Sequence, residues 1–91
     1  MFVLIHHEVR DPATFWNIVT EEMEHLPAGL MLVQSLPARF GAAEFSLWET
    51  EQVDALQQFV DTKLGLVSRS TYFPIDAGNA FGLPHPEPHH A

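Results

Sequence analysis

Two runs decide the fold: Leu30-Met-Leu-Val-Gln-Ser-Leu36 and Glu44-Phe-Ser-Leu-Trp-Glu49, joined by Pro37-Ala-Arg-Phe-Gly41. Both read as strands, and the short link predicts a hairpin. Within the second run, side-chain alternation puts Phe45 and Leu47 on one side and Trp48 on the other. Downstream, Thr50 is placed to cap a helix from about Glu51 to Leu64, whose apolar stripe is Val53, Leu56, Phe59, Val60 and Leu64. Gly65 then stands where a left-handed helix stop is expected. Upstream, Asp11-Pro12 opens another helix, because the carboxylate accepts from free amides and proline is tolerated at the first helical position. Phe15, Trp16, Ile18, Val19, Met23 and Leu26 share one broad arc of it, and Pro27-Ala28-Gly29 ends it near Leu26. The outermost runs, Phe2 to Val9 and Ser70 to Ile75, are again strand-like. Both faces of the first are mostly apolar, with Phe2, Leu4, His6 and Glu8 opposite Val3, Ile5, His7 and Val9.

The order strand, helix, strand, strand, helix, strand predicts an α+β domain of the ferredoxin-like βαββαβ class. It has a four-stranded antiparallel sheet with two helices on one face. The uncovered face then exposes apolar residues, among them some of Phe2, Leu4 and the Leu30 to Leu36 strand. A large exposed apolar face points to a partner, and two copies pressed face to face supply one. The domain is expected over residues 1–76. Residues 77–91 form a Pro/His-rich tail expected to be extended, whose His85, His89 and His90 bind a transition metal only loosely.

Composition narrows the partners. Twelve acids face four cations, Arg10, Arg39, Lys63 and Arg69, for a formal net charge of −8. Nucleic-acid binding requires clustered Lys and Arg, so it is excluded as an expectation, as is binding to anionic membranes. No apolar run approaches the roughly 20 residues of a membrane span. The absence of cysteine removes disulfides and thiolate chemistry, and a cytoplasmic location is expected. In 91 residues the core is small, and with 46% hydrophobic residues self-association is the available way to add burial.

The layout resembles the dimeric α/β-barrel superfamily, which includes antibiotic-biosynthesis-type monooxygenases and many uncharacterised bacterial proteins. The resemblance rests on the first strand running into Arg10-Asp11-Pro12, and on Ser46-Leu47-Trp48-Glu49-Thr50 leading into the second helix. It implies a homodimer closed through the open sheet faces and a ligand pocket between sheet and helices. It also implies a range of activities: cofactor-free oxygenases, haem-degrading enzymes, isomerases and simple binders. Haem-degrading members present an Asn on strand one, and no Asn occurs between Phe2 and Arg10 here.

Among the residues, Glu22 falls inside the apolar arc of the first helix. It is read either as a general base facing a pocket or as an edge carboxylate bending into water. His25, three residues on, shares its flank. With His7 the two form a candidate metal set, in a protein that binds or senses metal. His7 otherwise serves as proton acceptor or as a hydrogen-bonded core histidine. Phe15, Trp16, His25, Trp48 and Tyr72 are candidates for a binding cavity, with plain core or dimer interface as the alternative for the aromatics. The leading expectation is a homodimer that binds a small apolar molecule and acts as a cofactor-independent monooxygenase or isomerase. Its rivals are the metal protein and a non-enzymatic interaction module. No cofactor is specified by any motif.

Overall fold

A computed structural model describes residues 1–84 of the chain. Strands β1 (Phe2–Val9), β2 (Met31–Pro37), β3 (Ala43–Glu49) and β4 (Ser68–Pro74) form one antiparallel sheet in the order β2-β3-β1-β4. Helices α1 (Pro12–Glu22) and α2 (Val53–Leu64) complete the ferredoxin-like βαββαβ order. Of the tail expected over residues 77–91, residues 77–84 are described and open with a 3-10 turn at Ala77–Asn79 rather than an extended run, while the histidines at 85, 89 and 90 lie outside the described residues.

The helices share one face of the sheet. Val3 and Ile5 of β1, Trp48 of β3, Phe15 of α1, and Leu56, Val60 and Leu64 of α2 form a single buried cluster. Burying each such side chain contributes about 1.5–3 kcal/mol. Asp11 caps α1 as expected, its carboxylate accepting from the Thr14 amide at 3.2 Å and the Thr14 hydroxyl at 2.8 Å. The helix stops four residues earlier than the arc of apolar residues suggested, and Met23–His25 continue as a single 3-10 turn.

Three local expectations are corrected. Thr50 lies before the helix rather than at its cap; its hydroxyl accepts from the Gln52 amide and shapes the approach, while Gln52 occupies the cap position. Gly65 ends α2 in right-handed geometry, φ −60°. Its requirement is close approach, since a Cβ there would sit 2.5 Å from the Asp61 carbonyl oxygen. The left-handed positions fall instead in the β2–β3 connection, at Phe40 (φ 74°) and Gly41 (φ 77°). β4 also starts two residues before the predicted Ser70.

The pairing of β2 with β3 carries one irregularity. Leu32 faces Trp48 and Ser35 faces Ser46, with the register shifting between Leu32 and Gln34. The extra residue is Val33, and such a bulge resets the alternation. Leu32 and Ser35, three residues apart, therefore both point to the helix-covered side. The other side of the sheet carries exposed Met31, Leu36, Phe45 and Phe73. His6 stacks on Phe45 there, with ring centroids 4.8 Å apart. Phe2 shares this side yet is fully buried.

Candidate functional site

Alternation along the strands assembles a row of polar side chains under the helices. β1 presents His7, β3 presents Glu44 and Ser46, β4 presents Ser70 opposite His7, and the bulged β2 presents Ser35. Hydrogen bonds and one close His7–Glu44 approach link the row across the sheet. Ser35 donates its hydroxyl to Glu44 Oε2 at 2.6 Å. Glu44 Oε1 lies 3.3 Å from His7 Nε2, and His7 Nδ1 lies 2.8 Å from Ser70 Oγ. Ser46 Oγ is also 3.3 Å from His7 Nε2 and accepts the Trp48 indole N–H at 2.9 Å.

His7 and Glu44 are each only 3% exposed. Burial pulls the His7 imidazole down from 6.5 to about 4, with a smaller contribution from the neighbouring charge of His6. Burial pushes the Glu44 carboxyl above its usual range, against the opposing pull of the Ser35 hydroxyl. Burial thus disfavours the charged form of both groups, and the 3.3 Å approach of His7 to Glu44 is a contact of a neutral histidine rather than an ion pair. Ser70 and Ser46 stand against the two ring nitrogens, so either tautomer of the neutral ring finds a hydroxyl partner on each side.

This row floors a slot of about 40 Å³ between sheet and helices. Ile18, Val19 and Met23 line it from the first-helix side, Phe59, Val60 and Leu64 from α2, and Leu32 and Trp48 from the sheet. At its rim Glu22 meets Lys63, Oε2 to Nζ 3.5 Å, joining the two helices by an ion pair that is partly open to water. A wider depression of about 400 Å³, lined by Gly29, Leu30, Met31, Glu49, Thr50 and Glu51, is shallow and away from this row.

The sequence-predicted residues divide accordingly. His7, Glu22 and Trp48 line the slot. Phe15 is fully buried core, set edge-on to His7 at 5.5 Å. Trp16 packs edge-on against Phe15, and Tyr72 donates its hydroxyl to Asp61 at 2.6 Å, tying β4 to α2. Burial, then the Asp61 carboxylate, raises the Tyr72 phenol. Neither ring is among the slot residues. His25 sits exposed on the 3-10 turn, so Glu22, His25 and His7 are not brought together. Among the described residues no group of three metal-ligating side chains forms.

Glu44, Ser46, Ser35 and Lys63 were missed. Glu44 and Ser46 were within reach of the alternation that places Trp48, because every second residue of β3 shares its face. Ser35 was not, since the bulge at Val33 reverses its side.

Compared with protein-family models, curated proteins and solved structures, the chain matches none. Fold and site therefore define it only as a small ferredoxin-like α+β domain with a buried polar row under an apolar slot. No helix of the described residues is long and apolar enough to cross a membrane.

Proposed function

We propose that the chain is a homodimeric binder of a small, largely apolar molecule. The molecule is held in the slot and gives up a proton to the His7–Glu44 pair, the opening step of cofactor-independent oxygenase or isomerase chemistry. The observation that carries this reading is a neutral imidazole and a buried carboxyl meeting at 3.3 Å on the floor of an otherwise apolar slot. The base role anticipated for Glu22 passes to this pair, because the Glu22 carboxylate is engaged by Lys63 at the rim. The slot's size limits what enters. About 40 Å³ accepts the end of a narrow molecule, with the remainder passing the Glu22–Lys63 rim. The layout supports kinship with the dimeric α/β barrels, and exposed Met31, Leu36, Phe45 and Phe73 support closure by a second copy.

A native mass spectrum of gently purified, untagged protein tests the reading. The expected species is a dimer carrying extra mass that disappears in Glu44→Gln. A bare monomer at micromolar concentration would overturn it.

A second reading has its own support. The slot is far below the roughly 300 Å³ of ordinary ligand pockets, while the apolar sheet face is broad. Both fit a non-enzymatic interaction module. A dimer without retained mass, indifferent to Glu44→Gln, favours that reading.

A further inference from the structure

Phe40 joins two unfavourable features, a left-handed backbone at φ 74° and a ring that is 96% exposed. Strain of this kind collects at positions used in contact or function. Its neighbour Arg39 is exposed, as is Arg10 in the adjoining connection, where Val9 donates its amide to the Ala42 carbonyl. Among the described residues no carboxylate lies within ion-pair distance of either guanidinium. Of the nearby acids, Asp11 is held by the α1 cap, and Glu8 lies in register with Ala43. The β2–β3 turn thus presents an aromatic knob beside two unpaired cations.

The opposite end of β2 has the matching shape and charge. The strand starts at Met31, and there the depression of about 400 Å³ is lined by Leu30 and Met31 together with Glu49 and Glu51. Against these acids stands the exposed N-terminal ammonium, 3.0 Å from Glu51 Oε2. A cavity of about 150 Å³ already holds a benzene ring, so a phenylalanine ring has ample room. Knob and depression are separated by the seven residues of β2, about 23 Å, so no chain fills its own depression. Both halves of a contact are therefore present on this chain. An anionic membrane would match the two arginines alone and would meet a net charge of −8.

We infer that a second copy of the chain docks here head to tail. Phe40 of one chain enters the Leu30–Met31 depression of the next, and Arg39 faces Glu49 and Glu51. The two patches differ, so the contact is heterologous and links copies into open chains or a closed ring. It goes beyond the face-to-face pairing proposed above, whose sheet face it borders at Met31. One aromatic anchor makes a small contact, so linkage is expected near about 1 mM protein, far above the range of a full-sized interface.

Small-angle X-ray scattering at about 0.15 M salt, where remote repulsion is screened, gives the average mass. Between about 10 μM and about 1 mM the mass of the natural protein should climb past its dilute value. Phe40→Ser removes the knob and Glu51→Arg opposes the arriving Arg39, both at exposed positions, and each variant alone should stay at the dilute mass. An equal mixture of the two should link again, because one keeps the depression and the other keeps the knob. A constant mass in the natural protein would overturn the proposal. So would growth that survives in either variant, or a mixture that fails to regain it. Phe73→Glu separates this contact from the proposed dimer: linkage should persist with single chains as the unit. Its loss there would assign the contact to the sheet face and overturn head-to-tail docking.

Discussion

At the scale of the residue, His7 and Glu44 pull stability in opposite directions with pH. His7 stays neutral in the fold down to about 4, whereas an unfolded histidine protonates near 6.5. Between these values the unfolded chain binds the extra proton, so this contribution is fully present above 6.5 and is lost as the pH falls toward 4. Its size is roughly 3 kcal/mol, from the conversion of pKa shift to free energy. The Glu44 carboxyl is raised, so the folded chain binds its proton first, and this carboxyl favours the fold as acid is added. The two partly cancel in the natural protein. His7→Gln removes the larger acid-sensitive contribution and leaves that of Glu44. Urea unfolding at neutral pH and near pH 4 should show the variant losing less stability on acidification than the natural protein, by up to about 3 kcal/mol. Identical acid sensitivity in both would mean that His7 is not held neutral by burial.

At the scale of the element, the connection between β2 and β3 holds the clearest backbone strain among the described residues. Phe40 adopts φ 74° and is 96% exposed, so its ring gains nothing within this chain to offset a left-handed backbone. Asn tolerates that conformation better than an aromatic residue. Phe40→Asn is therefore expected to raise stability by about 0.5–1 kcal/mol, read as a higher urea midpoint with an unchanged slope. A loss of stability would show that the ring has a packing role. The same hairpin marks the limit of what the sequence discloses. Alternation and apolar stripes made the six main elements legible, because each must bury one face. They made His7 and Trp48 legible as candidate site residues, without fixing which face of the sheet the helices cover. Ser35 stayed hidden because Val33 is one more apolar strand residue until its pairing partner is known, and only the register on β3 makes it a bulge. Lys63 stayed hidden because its link to Glu22 depends on how α1 and α2 cross, which no local pattern encodes.

At the scale of the whole molecule, an apolar sheet face must be reconciled with a strongly acidic chain. Met31, Leu36, Phe45 and Phe73 are 39–56% exposed on the face without helices. A dimer closing that face needs about 800 Å² from each copy, a large share of a molecule with 5860 Å² of accessible surface. Each copy brings a net charge of −8, so association works against mutual repulsion while apolar burial drives it. These opposing forces fix the sign of the salt effect. Added sodium chloride screens the repulsion and leaves apolar burial in place, so the proposed dimer should tighten as ionic strength rises. A dimer held by ion pairs would weaken instead. Phe73→Glu places a carboxylate on an exposed position of the same face, where it disturbs the interface and spares the core. Sedimentation equilibrium should then show monomers at a concentration where the natural protein is paired, with an unchanged circular dichroism spectrum. Dimers that survive Phe73→Glu, or that loosen with salt, would place the contact elsewhere on the molecule.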